Sequence, residues 1–125
     1  MNNSIKIEGQ EDTPKIIFDP ENEIFEISGR SLPEDAALFY EPILEWLKNY
    51  AKSPIANTEM HVKLNYFNTA SSKLLLDLLM ILEDMVEDGK SCAIKWFYQE
   101  DDEDMEEAGE EYSELIEVPF ELISF

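Results

Sequence analysis

The sequence predicts one α/β domain: a mixed sheet, begun by a β-hairpin and completed by strands that alternate with helices, with the helices on one face. Three observations predict it. The chain has 125 residues, enough for one domain and too few for two ordinary ones. Short apolar segments bounded by turn residues alternate with longer stretches of helical spacing, in the order β-β-α-β-α-β-α-β. The strands also alternate in polarity. Val62, Leu64 and Tyr66 point one way and His61, Lys63 and Asn65 the other, and Lys95 sits between Ile94 and Trp96 in the same manner. A sheet buried on both faces would show nearly continuous apolar strands, so the second face is expected to be at least partly wet.

Residues 1–12 lack such a pattern and are expected as a loose N-terminal segment of the single domain 1–125. Lys15 to Asp19 and Ile24 to Ser28 read as paired strands around the turn Pro20-Glu21-Asn22-Glu23, with Gly29 ending the second. Ser31-Leu32-Pro33-Glu34 matches a capping box with proline near the helix start. The helix after it is expected to run to about Lys52, where Ser53-Pro54 stops it, with a kink or restart at Pro42. His61 to Phe67 reads as a strand. Asn68-Thr69-Ala70-Ser71-Ser72 then offers several N-caps for a long helix ending near Gly89. Cys92 to Tyr98 reads as a strand, Asp102 to about Leu115 as a very acidic helix, and Val118 to Ile123 as a last strand, where Pro119 suits an edge or a strand start.

Composition removes several functions. Hydrophobic residues make up 44%, so a real core is available. Against nine Lys and Arg stand 29 Asp and Glu, a net charge of −20. Nucleic acid and anionic membrane surfaces would both repel such a chain, whereas basic protein partners would not. Cys92 is the only cysteine and His61 the only histidine, so neither an intrachain disulfide nor a Cys/His zinc pattern is available. Met1 to Ile7 has no apolar signal-peptide core. The longest near-apolar stretch, Leu74 to Leu82, is broken by Asp77 and falls short of the roughly 20 residues a spanning helix needs. A soluble cytoplasmic protein is expected. His61 has no nucleophile or second base placed near it, and the four glycines form no phosphate loop, so neither an enzyme nor a cofactor is expected.

Glu100 to Glu111 holds nine acidic residues in twelve. As a calcium loop it fails. The register with glycine at position six starts at Asp104 and places Ala108 at position five and Leu115 at position twelve. It reads as a solvated acidic helix or as a docking surface for a basic partner.

The long helix is the most informative stretch. At 100° per residue, Lys73, Asp77, Asp84 and Asp88 form a polar stripe, and Leu75, Leu78, Leu79, Leu82, Met85 and Val86 face the core. Leu76 and Met80 lie beside the polar stripe. Either they pack under a neighbouring loop or they form an exposed patch for a partner. The stretch Phe67 to Lys73 likewise has two uses: ordinary capping, or a phosphorylation switch. A phosphate at a helix N-terminus meets free N–H groups and the helix dipole, worth about 0.3–1 kcal/mol at an exposed site, and Lys73 follows one turn on. A phosphate brings roughly −1.5 to −2 charges. Against −20 that changes long-range electrostatics little, so the effect must be local, inside a contact surface.

Ser28-Gly29-Arg30-Ser31-Leu32-Pro33-Glu34, then Tyr66-Phe67-Asn68-Thr69-Ala70-Ser71-Ser72-Lys73, then Trp96-Phe97-Tyr98 leading to Glu100-Asp101-Asp102-Glu103-Asp104-Met105, resemble the SiaC family of bacterial regulatory phosphoproteins. Val118-Pro119-Phe120 fits as well, and the likeness spans about residues 5 to 123. The resemblance implies a STAS-like fold, related in shape to anti-sigma-factor antagonists. It implies that Thr69 is the phosphoacceptor, with Ser71 and Ser72 as weaker alternatives, and that Asn68, Lys73, Leu76 and Met80 belong to the partner-binding surface. It further implies a partner switch. A dedicated kinase adds the phosphate, a PP2C-type phosphatase removes it, and the unmodified form binds and activates a diguanylate cyclase. An anti-sigma-factor antagonist with the same fold and site, or a generic acidic interaction module, are the alternatives.

Overall fold

The computed structural model describes residues 4–125. Six strands and three helices follow the order β1 (Ile5–Ile7), β2 (Lys15–Asp19), β3 (Ile24–Ser31), α1 (Ala36–Tyr50), β4 (Asn57–Phe67), α2 (Thr69–Glu87), β5 (Ser91–Tyr98), α3 (Glu103–Leu115) and β6 (Phe120–Ser124). The strands lie side by side in sequence order in one sheet. β1, β2 and β3 are antiparallel to one another; β3 to β6 are parallel, joined by the helices. The expected mixed-sheet α/β domain is what forms.

Register explains the core. Ile16, Ile27, Val62 and Trp96 oppose one another across four strands and are buried, as are Phe18, Phe25, Met60 and Ile94 beside them. All three helices cover this face. Trp46 and Tyr50 of α1 pack on Phe18 and Phe25, α2 buries Leu75, Leu78, Leu79, Leu82 and Met85, and Tyr112 of α3 lies against Trp96. Ile17, Glu26, His61, Lys95 and Glu121 oppose one another on the other face, which carries no helix. There Glu59 bonds His61, Glu26 pairs with Lys63, and Glu121 with Lys95.

Five local expectations are corrected. Ile5–Ile7, expected within a loose segment, pairs with β2; its three residues are too few for a periodic signal. The part of that expectation on residues 1–3 lies outside the described residues. β3 continues past Gly29, whose φ of 99° admits a register shift against β4 rather than a stop. Ser31-Leu32-Pro33-Glu34 is not a capping box. Ser31 ends β3 with a buried hydroxyl, and Asp35 caps α1 by accepting from the Leu38 N–H at 3.1 Å. Pro42 does not divide α1, which runs unbroken from Ala36 to Tyr50. The carbonyl that Pro42 leaves without a helical donor belongs to Leu38, an exposed residue whose backbone water can serve. Finally, Val118 and Pro119 precede β6 instead of opening it, although the Pro119 carbonyl still accepts from the Ile94 N–H at 2.8 Å.

Candidate functional site

The parallel strands end where the helices begin, and β4 passes into α2 through a single residue, Asn68. Its extended backbone lets the side chain turn back and accept from the Ser71 N–H at 2.9 Å. The Asn68 N–H donates to the Ser31 carbonyl at 3.1 Å, which fastens the junction to the end of β3. Beneath it lies a closed chain of hydroxyls. Ser71 donates to the Ser31 carbonyl at 3.0 Å, and Ser31 donates to Ser71 Oγ at 2.9 Å. The 2.6 Å contact between Tyr40 and Ser31 therefore has the tyrosine as donor. Ser31, Tyr40 and Ser71 are fully buried, and burial pushes the Tyr40 hydroxyl above its usual pKa.

Thr69 stands on the opposite side of the same turn. It is the first residue of α2 and is exposed. With Ser71 held by the cap, the N–H groups of Thr69 and Ala70 are the ones left facing water at this helix end. Ser72 Oγ donates to the Thr69 carbonyl at 2.7 Å and is half-buried. Of the three candidate acceptors, Thr69 alone is exposed, Ser72 is engaged, and Ser71 is buried with its hydroxyl bonded to Ser31.

Lys73, four residues after Thr69, lies on the same helical face and is exposed. Among the described residues no carboxylate lies within salt-bridge distance of it. Leu76, one turn further, is half-buried against the core, and Met80 is 46% exposed. Leu76 does not lie under a loop; it lines a groove of about 440 Å³ between α2 and α3. Phe67, Leu76, Ala108, Tyr112 and Leu115 give the groove its apolar lining. Asp104, Glu107 and Glu111 stand along its α3 side, and Ser72 and Lys73 along its α2 side. Met80 is outside the lining.

Three contacts hold α3 in this position. The Trp96 indole N–H donates to the Met105 carbonyl at 3.0 Å, and the Tyr112 hydroxyl donates to the Ser72 carbonyl at 2.8 Å. The Glu117 N–H donates to the Glu83 carboxylate at 2.7 Å. Gly109 allows the close approach, since a Cβ there would sit 2.5 Å from the Trp96 ring. Tyr112 is buried at the turn that Thr69 begins, and desolvation raises its pKa. Sequence reasoning passed over Ala108, Tyr112 and Leu115. Their spacing of four and three residues is an apolar stripe, masked by the seven carboxylates of the same helix.

Among the described residues no group of three or more His, Cys, Asp or Glu side chains could hold a metal ion. Among the described residues no helix is long and apolar enough to cross a membrane. Cys92 is buried, and desolvation pushes its thiol up to about 12, far from the thiolate that redox or nucleophilic chemistry needs. An α/β domain with an exposed hydroxyl heading its longest helix, beside an open groove, has the make-up of a protein-interaction domain.

Comparison with known proteins gives that class a family. The model of the SiaC family regulatory phosphoproteins matches residues 7–125, and the chain belongs to this family, whose members are regulators rather than enzymes. An uncharacterised protein of Pseudomonas aeruginosa strain UCBPP-PA14 is 27% identical over 118 residues, covering 94% of each chain. The crystal structure of apo-SiaC from Pseudomonas aeruginosa superposes with a TM-score of 0.89 at 26% identity, over 98% of this chain and 100% of that one. SiaC in the crystal structure of the diguanylate cyclase SiaD with its activator SiaC, also from Pseudomonas aeruginosa, gives 0.91 at 26% identity, over 97% and 99%.

Proposed function

We propose that this regulatory protein is a phosphorylation-controlled partner switch with Thr69 as its acceptor. The unmodified form binds and activates an output protein, a diguanylate cyclase. A dedicated kinase adds the phosphate and a PP2C-type phosphatase removes it. One observation carries the reading: the exposed Thr69 hydroxyl is the first helical residue of a turn whose other side is locked by the Asn68 cap and the Ser31–Tyr40–Ser71 hydroxyl chain. A phosphate can be added there without disturbing the core, at a helix end that favours anions. The cyclase is named because a similar SiaC activates one in a complex. Asn68, Lys73, Leu76 and Met80 are assigned to the partner surface. Asn68 serves it indirectly, as the cap that fixes where Thr69 points.

Affinity capture from lysate, with and without phosphatase treatment, followed by phosphosite mapping, tests the scheme. A cyclase captured by the phosphatase-treated protein, together with phosphate mapping to Thr69 in the untreated one, supports it. Equal capture by a quantitatively phosphorylated protein rejects it, and capture of a sigma-factor regulator instead assigns the same switch to transcription.

A further inference from the structure

We infer that the helix-free face of the sheet packs on the same face of a second copy of the chain, giving a two-fold dimer with its helices outermost. The inference goes beyond the Thr69 reading and does not depend on it. β3 to β6 are parallel, and parallel strands occur almost only in sheets covered on both faces. Here the helices cover one. The other face holds an apolar cluster at its β5–β6 end. Phe97 lies opposite Ile123 in the register, and the Phe125 ring is centred 6.5 Å from that of Phe97. On the β4 side the His61 ring is centred 5.3 Å from Phe97. Phe125 is 62% exposed, so a large aromatic ring stands in water at this face.

Charge selects the occupant. The chain carries a net −20, and α3 alone has seven carboxylates and no Lys or Arg, so two copies repel one another through their helical sides. The helix-free face differs. Three of the four lysine–carboxylate pairs among the described residues lie on it: Lys6 with Asp19, Lys63 with Glu26, and Lys95 with Glu121. Cations and carboxylates offset one another there, so a second acidic copy can approach this face. Stacking on it also keeps the two sets of helices farthest apart.

The face is complementary to itself along the strands. Lys63 and Phe97 lie two residues beyond the row of His61 and Lys95, and Glu59 and Ala93 lie two residues before it, opposite one another. A two-fold axis along the middle row brings Lys63 of one copy over Glu59 of the other, and the Phe97 ring over the small Ala93. Six strands about 4.8 Å apart and about 20 Å long offer roughly 500 Å² in projection, the order of the about 800 Å² of accessible surface that each partner gives to a stable interface. Two sheets stacked at a small angle form such an interface readily.

Sedimentation equilibrium of the full chain, from micromolar to millimolar concentration, tests the inference. The mass should rise reversibly from that of one chain to that of two. Phe125→Asp, at an exposed position, should weaken association about tenfold or more. Glu59→Lys and Lys63→Glu should each weaken it, and the double reversal should restore it, because the pair across the axis re-forms with its signs exchanged. Leu38→Asp and Thr69→Glu, both exposed on the helical side, should associate like wild type. Unchanged circular dichroism shows that each variant is folded. A single-chain mass at every concentration overturns the inference, whatever else the face binds. So does association that survives Phe125→Asp, that is lost with Leu38→Asp, or that the double reversal fails to restore.

Discussion

The two sides of α2's first turn carry the same functional group in opposite settings. On the inner side the Ser71 hydroxyl gives its proton to the Ser31 carbonyl and accepts one from Ser31, itself bonded to Tyr40, all out of reach of water. On the outer side, two residues earlier, Thr69 faces solvent beside the groove. Burial, not chemistry, divides the roles. A buried hydroxyl earns its place by satisfying neighbours that cannot reach water, while an exposed one contributes little to stability and is free to be modified. The rigid inner side also holds the outer one at a fixed place.

The comparison can be broken most forcefully with alkali. Burial raises the pKa of Tyr40, Tyr50 and Tyr112, so the folded state favours their protonated forms. Their contribution is fully present below the unfolded value of about 10 and is lost as pH rises through the higher folded values. The chain should therefore unfold cooperatively above about pH 10, with tyrosinate absorbance rising together with loss of circular dichroism. Tyrosinate formation from Tyr40 or Tyr112 well before unfolding would mean that the inner side is open.

Smaller effects sharpen the picture. Ser71→Ala strands the Ser31 hydroxyl and should cost about 1–3 kcal/mol in urea unfolding. Asn68→Ala removes the cap and should cost about 1 kcal/mol, with Asn68→Asp restoring most of it. Thr69→Val should change stability by less than about 0.5 kcal/mol while abolishing the proposed phosphorylation. If Thr69→Val proved as destabilising as Ser71→Ala, the two sides of the turn would not differ.

Much of this was legible in the residues. Alternation in His61–Phe67 announced a sheet with one wet face, and the Asn-Thr-x-Ser-Ser run placed the head of α2 within five residues, of which Asn68 proves to be the cap. What stayed hidden depended on contacts between distant segments. Ser31 looks like a helix cap locally, but 40 residues on in the chain Ser71 supplies its partner, and tertiary contact overrode the local signal. Pro42 looks like a break, but the carbonyl it orphans belongs to an exposed residue, Leu38. The groove needs two helices whose register is set by Gly109 and Tyr112, neither of which has a local signature of approach.

Titration calorimetry of the unmodified and the quantitatively Thr69-phosphorylated chain against the proposed output partner, a diguanylate cyclase, addresses the switch itself. Unmodified protein should bind, and phosphorylation should weaken that binding more than a hundredfold, the equivalent of about 3 kcal/mol. Indistinguishable affinities for the two forms would contradict the account.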